Sequence, residues 1–139
     1  MEMKYLGVYE KKYQKSGMLR IPKQWVEQDK KQLYCALCQD MDLEISFLRF
    51  YDEKEALMQF KKETQEDGPI LILQCYRVKQ IPVWKGMILP KEFCEISVSH
   101  DKKELSCVGI GNGFEIWYSE DLKKMETCFD DIFDDLSSF

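Results

Sequence analysis

Apolar side chains recur along the chain in short runs, each closed off by a glycine, a proline or a cluster of charges, and this is the pattern of strands rather than of long helices. In the first half the runs predict strands at Tyr5–Tyr9, Met18–Ile21, Leu33–Leu37 and Leu43–Leu48. A polar loop, EKKYQKSG, separates the first two, and the turn QDMD separates the last two. Pro22 opens a short helical turn through Trp25 and Val26, a place where its fixed φ suits a helix start and its missing N–H is not needed. The stretch YDEKEALMQFKKETQ then puts Ala56, Leu57 and Phe60 at helical spacing, with acids in its first turn where the helix dipole favours them. EDGP ends that helix. The second half predicts a long strand at Ile70–Val78, a short one at Met87–Leu89, and a hairpin of Leu105–Ile110 and Phe114–Tyr118 about GNG. Ser119 is placed to cap a last amphipathic helix. The order is β-β-turn-β-β-α, twice.

The repetition extends to landmarks. Gly-Met, a strand ending in Pro-Lys, an aromatic, Asp-Lys-Lys-x-Leu, a cysteine-bearing strand and a strand reading LEISF or FEIW follow one another in both halves. Pro22 answers to Pro90, Asp29 to Asp101, Glu44 to Glu115 and Tyr51 to Tyr118. Four short strands and a helix bury little by themselves, so a half of this size has too little core to stand alone. The expectation is two repeats, residues 1–66 and 69–139, interlocked as one structural domain of the β-rich α+β class.

Composition adds limits. The chain has 139 residues, 45% hydrophobic and 32% charged, which are the proportions of a soluble globular protein. It shows neither a long apolar run nor an export signal, so a cytoplasmic location is expected. Its six cysteines then read as reduced thiols, small apolar side chains for the interior. Cys35 and Cys38 alone have C-x-x-C spacing, on a strand where residues three apart face opposite ways; Cys75, Cys94, Cys107 and Cys128 are scattered, and no metal site is expected. The single histidine, His100, falls in the turn SHDKKE, no serine or cysteine has a recognisable base beside it, and no phosphate-cradling loop follows a strand. Neither an enzyme nor a bound cofactor is expected.

Three segments carry a resemblance: LGVYEKKYQKSGMLRIPKQW, KGMILPKEF and VGIGNGFEIWYSEDLKKM. Together they are similar to the MraZ family, the two-repeat AbrB-like transcription regulators. The third is the most specific, with Gly109, Gly111, Phe114, Glu115, Ile116 and Trp117 matching the family's closing Gly-x-Gly-x-x-Phe-Glu-Ile-Trp segment. The resemblance covers nearly the whole chain. It implies one swapped-hairpin, double-psi-like barrel of two pseudo-symmetric repeats and assembly into dimers or larger rings. It also implies repression of cell-division and cell-wall genes through repeated promoter boxes.

The family's DNA-reading element, Asp-x-x-Gly-Arg, is altered here. Gln14 and Met18 stand for its aspartate and arginine, and Pro82 and Gly86 occupy the same places in the second half. A methionine cannot make the forked hydrogen bonds with which arginine reads guanine, so the family's sequence specificity does not transfer. Charge suggests a replacement. Residues 1–31 hold eight Lys or Arg against four acids in a chain of net charge −5. The candidate DNA contacts are therefore Lys11, Lys12, Gln14, Lys15, Gly17, Met18, Arg20 and Lys23, with lysines on phosphates and Arg20 supplying the missing fork. A homo-oligomer is expected, since one such loop is a small footprint. A second reading from a different class is a protein-interaction module that acts through the acidic segment CFDDIFDDLSSF, where Phe129, Ile132, Phe133 and Leu136 alternate with Asp130, Asp131, Asp134 and Asp135.

Overall fold

A computed structural model describes residues 5–12, 17–26, 32–66, 68–81, 86–100 and 104–127. Gln14, Lys15, Pro82, Trp84, Cys128 and the acidic segment lie outside them. The strands are β1 (Val8–Lys12), β2 (Met18–Arg20), β3 (Gln32–Asp40), β4 (Ile45–Tyr51), β5 (Ile70–Ile81), β6 (Gly86–Ile88), β7 (Glu104–Gly109) and β8 (Gly113–Tyr118). The helices are α1 (Lys23–Val26), α2 (Lys54–Glu66), α3 (Lys91–His100) and α4 (119–127). All strand pairs are antiparallel, in the order β1-β7-β8-β4-β3-β5-β6-β2, and the sheet curls into a nearly closed barrel. A bulge between Leu37 and Cys38 interrupts the β3–β5 ladder, and such an interruption adds the local bend that a curling sheet needs. The protein is α+β and rich in β structure.

Strand alternation sorts the apolar residues into two layers. Leu33, Cys35 and Leu37 of β3 join Leu48, Phe50, Phe114, Ile116 and Tyr118 in the barrel interior. Ala36 and Cys38 point the other way, into an outer layer with Phe47, Tyr51 and Trp117 that α2 covers with Leu57 and Phe60. Leu122 and Met125 of α4 pack on the same outer layer. Pairing joins distant parts of the chain. β1 runs along β7, with Val8 opposite Val108, and β5 runs along β3, with Val78 opposite Leu33. Among the described residues the outer edge of β5 meets β6 at Gln80 and Ile81.

Several elements differ from what the sequence predicts. Gly7, at φ 98°, breaks the first strand, so Tyr5 makes only an isolated bridge to Gly111 and β1 begins at Val8. The strand then continues through Lys11 and Lys12, which the polar composition assigns to a loop. The second-half turn is the ten-residue helix α3, and His100 ends that helix rather than sitting in a turn. Phe93, buried, and Ile96, one turn later, hold α3 against the interior, and the Tyr118 hydroxyl donates to the Phe93 carbonyl. Ser119 is already helical, and its hydroxyl is hydrogen-bonded to that of Ser106 at 2.8 Å. Tyr51 and Tyr118, matched by sequence, lie on opposite faces of the sheet, one in the outer layer and one inside. The sequence match between these two tyrosines is therefore not one of strand register.

Candidate nucleic-acid interface

The eight candidate residues belong to β1, the segment after it, β2 and α1. On β1, Tyr9 and Lys11 are half-buried while Val8, Glu10 and Lys12 are exposed. Lys11 therefore shares a face with Tyr9, which packs against the interior cluster. Its charge is felt by the Cys107 thiol, which burial pushes up to about 12 against the opposing pull of Lys11. Lys12 lies on the outer face, directly across the ladder from Glu104. The two lysines thus diverge, and neither lies in the loop. The β7 edge explains it: backbone pairing along β7 outweighs the polar side chains, since a strand needs only one apolar face to be worth its ladder.

On β2, Leu19 and Ile21 are buried and Arg20 is exposed, with Met18 half-buried on Arg20's side. Arg20 pairs with Gly86 and Met18 with Ile88. A Cβ at Gly86 would come within 2.1 Å of the Leu19 carbonyl oxygen, so the close crossing of β2 and β6 depends on glycine there. Gly17 is buried at φ 79°, and its carbonyl accepts from the Leu89 N–H at 2.9 Å. It sets the backbone path into β2. Lys23 is exposed at the start of α1. That short helix is pinned by Trp25, fully buried, edge-on to Tyr5 and Tyr9 and stacked on Phe114 at 4.9 Å.

The structure thus brings Lys12, Arg20 and Lys23 to the surface on ordered elements, turns Lys11 inward, and buries Gly17. Exposed lysines can contact phosphates, and Arg20 on a rigid strand can present its fork to a base edge. Two neighbours escape sequence reasoning. Glu104 opposes Lys12, and Ile88, 51% exposed, adds an apolar position to the β2–β6 pair beside Met18. Only the strand pairing, across long stretches of chain, reveals either.

Two cavities lie on the outer side. One, about 480 Å³, is lined by Phe47, Phe60, Trp117 and Met125 around the ion pair of Arg49 and Glu115. The other, about 250 Å³, lies between α2 and β5 and is edged by Lys54, Lys61 and Arg77.

Among the described residues no group of three or more His, Cys, Asp or Glu is placed to hold a metal ion. Cys35 and Cys38 occupy opposite faces of β3, as their spacing predicts. Cys35, Cys38 and Cys107 are buried, Cys94 is half-buried and Cys75 is exposed, so the expectation of small buried side chains holds for three of these five. Burial pushes the Cys38 thiol up to about 12, the Arg49 charge pulling it back only in part. In the unfolded chain these thiols ionise from about 9.0, whereas Cys38 and Cys107 keep their protons in the fold to about 12. The unfolded state then binds fewer protons over that window, and stability falls as pH rises through it, by about 1.4 kcal/mol per pH unit for each thiol. Urea unfolding at pH 8, 9 and 10 measures the loss. Thiol labelling at pH 8 is expected to reach Cys75 fast and the three buried thiols only on unfolding.

No family model matches the chain, and no curated protein matches it. Among the described residues no helix is long and apolar enough to cross a membrane.

Proposed function

We propose that the chain is a MraZ-like transcription regulator that binds DNA through its first-repeat basic segment in a homo-oligomer. The reading takes the barrel as a swapped-hairpin, double-psi-like fold of two repeats, residues 1–66 and 69–139. The strand pairing supports this. Exchanging β1 to β4 for β5 to β8 carries β1–β7 onto β5–β3 and β3–β4 onto β7–β8, and returns β2–β6 and β4–β8 to themselves. The observation that carries the functional reading is Arg20, exposed between buried Leu19 and Ile21 two residues beyond Met18 on the same strand face. It stands where a guanidinium can replace the one missing at Met18. Lys12 and Lys23 flank it for phosphate contact. One such segment per chain reaches few phosphates, so useful affinity comes from several copies on repeated sites.

Changing Lys12, Lys15 and Arg20 together to glutamate is expected to abolish binding to the protein's own upstream DNA and leave the circular dichroism spectrum unchanged. For every phosphate no longer neutralised, the dependence of log affinity on log salt flattens by about 0.9. Arg20→Ala alone is expected to reduce discrimination between the promoter fragment and a scrambled one. Isotherms over a salt series are the measurement; an unchanged slope in the triple variant, or no binding by the wild type, ends the DNA reading. In that event the protein-interaction module stands in its place, a reading favoured by Glu104, which faces Lys12 and competes with phosphate for it.

A further inference from the structure

We infer that DNA held at Arg20 continues along the outer face of β5 to α2, where Lys79, Arg77, Lys54 and Lys61 take its phosphates. This rests on the reading of Arg20 as a DNA contact and carries the interface beyond the first-repeat basic segment. Strand register brings the residues together. Gly86 pairs with Arg20 on one side and with Ile81 of β5 on the other. Directly opposed residues of an antiparallel ladder point to the same side of the sheet, so Ile81 lies on the face of Arg20. Alternation along β5 then puts Lys79 and Arg77 on that face too, with Val78 and Gln80 buried on the other. α2 ends the row. Lys54 and Lys61, two turns apart on that helix, edge the groove of about 250 Å³ whose far side is Cys75 and Arg77 of β5.

Every charge in this row is positive. Arg77 and Lys79 are the only charged residues of β5, and across the ladder they face the uncharged Tyr34 and Gln32. No carboxylate lines the groove. All five side chains, Arg20 included, are exposed, and among the described residues none of them has an ion pair. A chain of net charge −5 has carboxylates in excess, yet this face keeps them away. On a flat sheet Arg20 and Arg77 stand about 17 Å apart, two strand spacings across and four residues along. That is the axial rise of about five phosphates on one DNA strand, so one duplex reaches both. Arg77 offers a fork and the lysines offer point charges, contacts that hold the duplex in register without reading its sequence.

The test uses the full chain and the protein's own upstream DNA. Two pairs of substitutions, Arg77→Gln with Lys79→Gln and Lys54→Gln with Lys61→Gln, are each expected to flatten the dependence of log affinity on log salt by about 1.8. Each pair is expected to weaken the promoter fragment and a scrambled one by the same factor, whereas Arg20→Ala reduces the discrimination between them. A control pair, Lys123→Gln with Lys124→Gln on α4, removes the same charge away from the row and is expected to leave the slope unchanged. Circular dichroism of all variants is expected to match the wild type. Cys75, exposed two residues before Arg77 on the same face, is expected to lose its fast reaction with a thiol reagent once the fragment is bound. A slope unchanged by either pair, flattening by the control pair as well, or Cys75 labelling unaffected by DNA overturns the inference and leaves the reading of Arg20 standing. No binding by the wild type overturns both.

Discussion

Trp25→Ala is expected to cost about 3–5 kcal/mol, measured by urea unfolding. Trp25 is fully buried on a helix of four residues, where local propensity contributes almost nothing. Its rings meet those of Tyr5, Tyr9 and Phe114, and Phe114 in turn stacks on Phe50. Removing the indole therefore leaves a void at the junction of β1, β4 and β8 and frees α1 from the barrel. Among the described residues the buried indole N–H has no hydrogen-bond partner. Trp25→Phe gives up no hydrogen bond and keeps one ring, so its cost is expected to stay below about 2 kcal/mol. If Phe costs as much as Ala, the pinning role is wrong.

A loss of similar size is expected from Glu115→Ala, for an electrostatic reason. Arg49 and Glu115 face each other across β4 and β8, with Arg49 Nε donating to Glu115 Oε2 at 2.7 Å. The Trp117 indole N–H donates to the other carboxylate oxygen at 3.1 Å, and the Arg49 guanidinium lies over the Phe60 ring at 4.2 Å. Removing the carboxylate strands a largely desolvated guanidinium and an indole N–H, at a cost of about 3–5 kcal/mol. Replacing both partners by leucine removes the stranded charge, and the double variant is expected to fall within about 1–2 kcal/mol of the wild type. The two singles and the double form a thermodynamic cycle; additive singles would show that the pair is solvated and not coupled.

What could be read from the sequence follows physical lines. The central strand β3 was legible as a short continuous apolar run, because both of its faces are buried, Leu33, Cys35 and Leu37 inside the barrel and Ala36 and Cys38 under the outer layer. The extension of β1 through Lys11 and Lys12 was not, because a ladder is a property of two strands and β7 begins beyond residue 100. KEFCEISVSH carries β-branched residues and serines that are poor helix formers, and α3 exists because Phe93 and Ile96 reach the interior. On the candidate interface, Arg20 could be placed outside by simple alternation with Leu19 and Ile21. The opposite facing of Lys11 and Lys12 needed the true start of β1, which Gly7 shifts. The Arg49–Glu115 pair joins residues 66 apart, and nothing local to either announces it.

The pairing of β1 with β7 also sets a clock on synthesis. Val8 finds its partner, Val108, only after a hundred further residues have been made. At roughly 5–20 residues per second the first strand waits about 5–20 s for its neighbour. Once residue 51 has been made, β3 and β4 can form their hairpin, yet Tyr5, Trp25 and Phe50 still have no Phe114 to close over them. A nascent chain stalled before β7 is thus an unfinished barrel with its largest aromatic surface open, and it is there, rather than after release, that a ribosome-bound chaperone has something to hold.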